Sequence, residues 1–411
     1  MLRVIELYQH QKEGRDFLLE NKKACLFFEV GTGKTFTALA TISSLPKGKV
    51  LIVAPKRVLD MVWKADTNYD LSGYDVTYIN YEKVSRDKTF TSNTWDYIVL
   101  DEVHKLKGRT TKVSRKFRSV CSRAKYVFGL TGTPVANNYM DVYNIFKNMT
   151  ILEFNESYDE FVNKYYYTKS MKGQFGFNFY LPIAVKSFML PELMRRIHKH
   201  SMVKQAVDCV DLPPKRTNVV KIPGMCTKQY KEIYQGILRT DSYEKTMIPL
   251  ESINKSRQAC NGYFYDDFGN VVNFAENKKL EYLDSLLEDM LEETDKVIIV
   301  YFYKEDLKQL KTLQYDYTDD PSEFPEKQIL FLQFGQAEGL NLQYCNNMIY
   351  YTYDYSFLKY EQMCGRIYRN GQKNPVTYTI LINDKTIEEK VWWAIQNKKN
   401  IDEFLKEALN G

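Results

Sequence analysis

Ala24-Cys-Leu-Phe-Phe28-Glu-Val-Gly31-Thr32-Gly33-Lys34-Thr35-Phe-Thr-Ala38-Leu-Ala-Thr-Ile42 runs from a short apolar stretch, through a turn with two glycines, into a helix-like stretch. In a strand–turn–helix of this kind, backbone N–H groups and the helix N-terminus converge on one spot, which suits phosphate. Lys34 would reach β- and γ-phosphates and Thr35 would ligate Mg²⁺. Phe28 stands where such a loop ordinarily has its first glycine. Alone, the string also fits a plain glycine turn between strand and helix.

Working outward, the same strand texture recurs at Val50–Ala54, Val76–Ile79, Tyr97–Leu100 and Tyr126–Leu130, and again at Val297–Tyr303, Ile329–Leu332, Met348–Thr352 and Val376–Ile382. These runs are short, rich in β-formers and not cleanly alternating, as expected of strands buried on both faces of a parallel sheet. The fold class expected is therefore α/β, with two parallel-sheet domains in tandem, a helical insertion and a C-terminal helix. The expected organisation is a first domain over 1–138, a helical insertion packed on it over 139–207, a linker over 208–217, a helical insertion of the second domain over 218–277, the second domain over 278–384, and the terminal helix over 385–411. The linker reading rests on Pro213 and Pro214, which break helices. The terminal helix rests on Ile387, Val391 and Ile395, four residues apart, with Phe404 and Leu405 beyond.

Composition bounds the function class. A chain of 411 residues fits two domains. Lys and Arg number 57 against 52 Asp and Glu, a net charge of +5, which permits a polyanionic partner without requiring one. The seven cysteines (Cys25, Cys121, Cys209, Cys226, Cys260, Cys345, Cys364) are dispersed with no CxxC pair, which argues against zinc and disulfides. His198 and His200 have no cysteine or carboxylate pattern beside them and read as surface residues. No run of about 18 apolar residues exists, so no membrane span is expected. Met1-Leu-Arg-Val-Ile-Glu6 lacks a signal-peptide pattern. The expectation is a soluble cytoplasmic protein, or one of the host cytoplasm if viral.

Two further strings carry chemistry. Asp101-Glu102 closes the run Tyr97-Ile-Val-Leu100. A strand-end Asp can orient magnesium's waters, and an adjacent Glu can activate the attacking water. Arg366 and Arg369 are three apart, so on a helix they share a face. An arginine presented to a transferring phosphate is worth ~10³–10⁵ in rate.

With these in place, the chain resembles the superfamily-two helicase-like ATPases and, within them, the Swi/Snf-type DNA translocases. Leu130-Thr131-Gly132-Thr133-Pro-Val-Ala-Asn-Asn138 is similar to the family's TGTPxxNN string, Gly339-Leu-Asn-Leu342 to its GLNL motif, and Arg366-Ile-Tyr-Arg369-Asn-Gly-Gln372 to its RxxRxGQ. Weaker echoes are His10-Gln11-Lys-Glu-Gly14, Leu212-Pro-Pro-Lys215 and Thr386-Ile-Glu-Glu-Lys390, so the likeness runs from about residue 7 to 405. Val103 replaces the common Ala of DEAH. Gly365 replaces a common Asp and matches the wider superfamily's QxxGRxxR. The stretch 304–327, with Pro321 and Pro325, is short, as if the second domain were trimmed by one element.

The resemblance implies two RecA-like domains, ATP and Mg²⁺ as cofactors, and roles for matching residues. Gln11 would read adenine, and Gly31, Thr32, Gly33, Lys34, Thr35 and Gly339 would line the nucleotide site. Thr35 and Asp101 would serve the metal, with Glu102 as base. His104, Thr131, Gly132 and Thr133 would couple nucleotide state to movement. Gln362, Arg366 and Arg369 would complete the site when the second domain closes, Arg369 as arginine finger. Backbone contacts to nucleic acid are expected from Pro55, Lys56, Arg57, Tyr81, Tyr301 and Asn341. Such contacts are sequence-neutral and salt-sensitive.

The activity so implied is ATP-driven translocation on or remodelling of duplex DNA by a minimal monomeric motor of viral or bacterial type, with a protein loader as a possible partner. One alternative is a true unwinding helicase on forked or branched DNA or on RNA. It would need a strand-separating pin, for which Tyr165–Tyr180, with Lys169, Lys172 and Phe175, is the candidate; a packed helical protrusion is the favoured reading of that segment. The other alternative is an ATP-gated clamp on DNA or protein, against which the complete set of acid, base and arginines argues.

Overall fold

The structure is a computed structural model and describes residues 6–64, 71–132, 139–172, 178–209, 211–225, 227–240 and 243–397. The chain forms two compact units, Met1–Val210 and Asp211–Gly411.

In the first unit, strands β1 (Lys23–Phe28), β2 (Lys49–Val53), β3 (Asp75–Ile79), β4 (Tyr97–Asp101) and β5 (Tyr126–Thr131) match the apolar runs of the sequence to within a residue or two. After them come β6 (Tyr166–Lys172), β7 (Asn178–Val185) and β8 (Ser201–Lys204). One six-stranded sheet is ordered β3-β2-β4-β5-β1-β8, and every pairing in it is parallel. Both faces are covered. Leu18, Ala38 and Ile42 pack on one, and Phe117, Phe146 and Phe161 on the other. This double burial is why the strands read as continuous apolar runs.

The insertion after β5 is not purely helical, as the sequence suggested. Helices Tyr139–Asn148, Tyr158–Tyr165 and Leu190–Lys199 frame an antiparallel hairpin of β6 and β7, and the region then supplies β8 to the main sheet. The hairpin lacked a strand signature because much of both its faces meets solvent, so no core side imposes alternation. His200 also departs from the surface reading: it is half-buried, its Nε2 is 3.2 Å from Glu153 Oε2, and its ring meets Phe146 edge-on.

In the second unit, β9 (Lys215–Ile222) is followed by two small antiparallel pairs, β10 (Ile237–Arg239) with β11 (Glu244–Thr246) and β12 (Tyr263–Tyr265) with β13 (Val271–Asn273). Then come β14 (Val297–Tyr301), β15 (Tyr317–Thr318), β16 (Ile329–Gln333), β17 (Asn347–Tyr350) and β18 (Val376–Asn383). The main sheet is ordered β15-β16-β14-β17-β18-β9, again all parallel. The expected linker 208–217 is corrected here: from Lys215 the chain is already strand, paired with Val376 onward. Pro213 and Pro214 lie near the start of the second unit and do not prevent the strand, because the Pro214 carbonyl accepts from Val376 N at 2.9 Å. Likewise 218–277 is only partly helical, with helices Lys228–Tyr234 and Pro249–Ala259 beside the small hairpins. The closing helix is Ile387–Gln396, with Ile387, Val391 and Ile395 buried as their spacing requires; Phe404 and Leu405 lie outside the described residues.

A buried polar hub fixes the end of β14. The Asp306 carboxylate accepts from Tyr263 OH at 2.8 Å, Asn261 Nδ2 at 3.0 Å, Thr352 Oγ1 at 2.5 Å and Tyr303 N at 2.8 Å. Asn261 Oδ1 in turn accepts from the buried Lys279 ammonium at 3.1 Å, and Lys279 pairs with Glu388 of the closing helix. No described helix is long and apolar enough to cross a membrane.

Candidate nucleotide site

Three neighbouring strands, β4, β5 and β1, bring their C-terminal ends together in the first unit, the place where open α/β sheets bind ligands. Register puts Asp101 beside Leu130 and Thr131 beside Phe27. The glycine turn, the acidic pair and the Thr131-Gly132 corner are thus gathered by sheet order alone.

Gly31 and Gly33 both take positive φ, 89° and 82°, a region that glycine enters without a Cβ penalty. Gly33 is the cap of helix Lys34–Ser43, so the loop's backbone donors end on a helix N-terminus. A Cβ on Gly33 would collide with the Gln11 amide, and one on Gly132 would come 2.8 Å from Val30 Cγ2 and 3.1 Å from Lys34 Nζ. Lys34 folds back over the loop, donating to the carbonyls of Phe28 at 2.9 Å and Glu29 at 3.3 Å. Thr35 follows it in the helix's first turn, half-buried.

The first helix, Gln9–Asn21, clamps this loop from outside. Thr32 O accepts from Gln11 Nε2 at 3.1 Å and lies 2.8 Å from His10 Nε2, while Gln11 Oε1 accepts from Tyr8 N. Gln11 is therefore placed as a brace of the phosphate loop, with both ends of its amide engaged. Phe28, the unusual residue, fits because Gly14 leaves room for it: a Cβ on Gly14 would come 2.9 Å from Phe28 Cζ.

Asp101 is buried, and burial, then the neighbouring Glu102 charge, push its carboxyl up to about 6. Three influences oppose this: Trp63 Nε1 donates to Asp101 Oδ2 at 2.9 Å, the Lys34 ammonium attracts, and Glu102 N donates to Asp101 Oδ1 at 3.0 Å. Glu102 sits at φ 53°, ψ 51°, a left-handed backbone that an L side chain seldom adopts. The turn aims its carboxylate back, so that Oε2 is 3.1 Å from His104 Nδ1, and the same His104 nitrogen is 3.2 Å from Thr131 Oγ1. His104 thus joins the acidic pair of β4 to the end of β5. Thr133 lies outside the described residues.

A magnesium–nucleotide fits these donors. Two adjacent carboxylates, one of them buried, end a strand near the glycine loop, close enough for the Lys34 ammonium to act on Asp101. Among the described residues no cluster of three or more His, Cys, Asp or Glu could hold a metal by itself. An ion here would take most of its ligands from phosphate and water, which is magnesium's habit and not zinc's.

In the second unit, Arg366 and Arg369 are not on a helix: helix Phe357–Cys364 ends before them, and they lie in the turns that follow. They nevertheless converge, Arg366 Nη1 at 3.5 Å and Arg369 Nη1 at 3.2 Å from the Leu340 carbonyl. Burial, then Arg366, pull the Arg369 guanidinium down to about 10. Arg369 also donates to Asn341 Oδ1. Gln362 lends its carbonyl to Arg366 Nε at 3.1 Å, and Gly339 turns the preceding corner with φ 79°. Gln372, the end of the same motif, is a buried pin. Its amide nitrogen donates to Cys345 O and Ile367 O, and its oxygen accepts from Lys373 N and Asn374 N.

The expected nucleic-acid contacts divide. Lys56 is exposed and Arg57 half-buried just after β2, and Asn341 is exposed in the loop between β16 and β17. Pro55, Tyr81 and Tyr301 are buried. Tyr81 is a strut, its hydroxyl donating to the Asp101 carbonyl at 2.7 Å and its ring against Phe117. Tyr301 packs in the core of the second sheet. Trp63 is the residue that sequence reasoning missed: it stands 38 positions from the carboxylate it serves, outside any motif.

Residues 67–264 match the family described as SNF2-related domain. The chain is 26% identical over 472 residues to the ISWI chromatin-remodeling complex ATPase ISW1 of Saccharomyces cerevisiae, spanning 97% of this chain and 40% of that protein. It is 26% identical over 370 residues to the human SWI/SNF-related matrix-associated actin-dependent regulator of chromatin subfamily A member 1, spanning 81% of this chain and 34% of that one. The chain therefore spans about two fifths or less of these relatives. Among solved structures, the Sulfolobus solfataricus SWI2/SNF2 ATPase core in complex with dsDNA is similar at 20% identity, with 98% of this chain and 93% of that chain covered and a TM-score of 0.45.

Proposed function

We propose that this chain, which belongs to the Swi/Snf-type branch of the superfamily-two helicase-like ATPases, hydrolyses ATP and uses the cycle to translocate on or remodel double-stranded DNA. The observation that carries the reading is the meeting of Lys34, Asp101, Glu102 and His104 at three adjacent strand ends. A binding module would need the loop; the carboxylate pair and its histidine link to β5 serve hydrolysis and its coupling.

Lys34 would exchange the two loop carbonyls it now satisfies for phosphate oxygens, which keeps a half-buried ammonium partnered. Thr35 and Asp101 would hold magnesium, which when bound neutralises phosphate charge. Glu102 would take the proton of the attacking water, and His104 would pass the change at Glu102 to Thr131. Gln362, Arg366 and Arg369 would act on the phosphates during turnover: two neighbouring, half-buried guanidiniums call for an anion. Lys56, Arg57 and Asn341 would hold the nucleic-acid backbone without reading sequence. We take a monomer as the working form, with any protein loader acting on delivery.

The test is steady-state ATPase activity with no nucleic acid, duplex, single-stranded or branched DNA, or RNA, at one low salt concentration. DNA with a duplex arm, plain or branched, should stimulate most, and a rate flat across all five would overturn translocation. Glu102→Gln should lose ~10²–10⁴ in turnover while still binding a fluorescent ATP analogue; undiminished hydrolysis would remove Glu102 as the base.

A further inference from the structure

The β6–β7 hairpin is built as an arm with a fixed root and a bare shaft. At the root, Lys186 N donates to Tyr165 O at 2.8 Å and Lys186 Nζ to Asn163 O at 2.6 Å. Tyr165 is fully buried, its hydroxyl donating to Glu192 Oε1 at 2.9 Å and accepting from Arg196 Nη1 at 2.7 Å. Arg196 is itself tied to Glu156 at 2.8 Å and stacked on Phe154 at 4.5 Å. Beyond this network the two strands pair only with each other.

The shaft is apolar and exposed. Tyr167, Met171, Tyr180, Leu181 and Ile183 are between 40% and 64% exposed. Tyr167 and Lys169 stand on one face opposite Ala184 and Leu181, and Tyr180 stands on the other opposite Ser170. Free strand edges and exposed aromatics are an aggregation hazard that proteins ordinarily blunt with mixed charge. Here the charge has one sign: residues 166–186 carry Lys169, Lys172 and Lys186 and no Asp or Glu. Aromatic and aliphatic side chains interleaved with lysine alone complement a polyanion whose flat apolar groups can be reached, which means unpaired bases.

We propose that this hairpin engages nucleic acid with unpaired bases, Tyr167 and Tyr180 stacking on bases and Lys169 pairing with phosphate, so that the motor grips or props open a junction and not plain duplex alone. The inference rests on the nucleic-acid motor reading and deepens it. It replaces the packed helical protrusion that the sequence favoured for this segment.

The test compares the full chain with Tyr167→Ala, Tyr180→Ala and Lys169→Glu variants. All three positions are exposed and outside the nucleotide site. Binding of a fluorescent forked DNA and of a plain duplex is measured without nucleotide, beside ATPase rates with no DNA, duplex and fork. Each variant should bind the fork about tenfold more weakly, with duplex binding changed less and the DNA-free rate unchanged. Fork affinity equal to the unsubstituted chain's in all three would overturn the hairpin's role while leaving the motor reading intact. Loss of fork and duplex binding in equal proportion would also overturn it, in favour of a general backbone grip. If the unsubstituted chain shows no DNA-dependent rate and binds neither probe, the motor reading itself has failed and the inference falls with it.

Discussion

Trp63 Nε1 donates to Asp101 Oδ2 at 2.9 Å, both groups buried, so an indole with no motif around it holds the carboxylate proposed to serve magnesium. Trp63→Phe keeps an aromatic ring in the core, deletes the donor and leaves the space of the indole's second ring unfilled. A buried acceptor left unmatched costs about 1–3 kcal/mol, and the carboxylate loses one of the three influences that favour its ionised form. Urea unfolding should show that loss, and Mg²⁺-ATP should bind more weakly. An unchanged unfolding midpoint would mean Asp101 finds another partner.

Gly33 and Gln11 form a pair that can be tested by rescue. Gly33→Ala adds a Cβ against the Gln11 amide and places a side chain at φ 82°. The clash should go with Gln11→Ala, while the left-handed backbone still costs about 1–2 kcal/mol. Thermal melts of the two single variants and the double variant should therefore be non-additive, the double more stable than Gly33→Ala alone. Simple additivity would place the Gln11 amide away from the loop.

Arg369 is one of the two half-buried guanidiniums beside Leu340, and its proposed work is at the γ-phosphate. Arg369→Ala should lower kcat by ~10³ or more, with a smaller change in KM. Arg369→Lys should recover little of this, because an ammonium lacks the planar fork. Full activity of the lysine variant would reduce Arg369 to a source of charge.

Gln372 carries four hydrogen bonds inside the fold. Gln372→Leu strands two carbonyls and two N–H groups, an expected loss of about 2–4 kcal/mol. Denaturant unfolding of the second unit should register it. A loss under 0.5 kcal/mol, on the order of an ordinary surface change, would show that water replaces the side chain.

Legibility of the chain followed burial. Runs such as Val50–Ala54 and Ile329–Leu332 announce themselves because both faces of each strand are covered. The Ser201–Lys204 and Lys215–Ile222 strands lie at the sheet edges, where one flank is solvated and lysines are tolerated, so their composition reads as loop or linker. The glycine turn, the Asp101-Glu102 pair and the arginines were readable as residues, since their chemistry is local. What they touch was not: the Trp63 bond, the Gly14–Phe28 fit and the burial of Tyr81 and Tyr301 depend on pairs far apart in sequence. The helical expectation for Arg366 and Arg369 failed because the helix stops at Cys364, although the three-residue spacing still brings both to one carbonyl.

The pairing of β9 with β18 has a consequence for how the chain is made. Arg216 and its partner Thr377 are 161 residues apart. At a synthesis rate of ~5–20 residues per second, that interval is roughly ten to thirty seconds. The first unit's sheet is complete once Lys204 has emerged, while β9 waits with its partner edge bare until nearly the whole second unit has been translated. While the second unit is still being made, a nascent chain of this protein therefore carries one closed sheet followed by one strand without its partner.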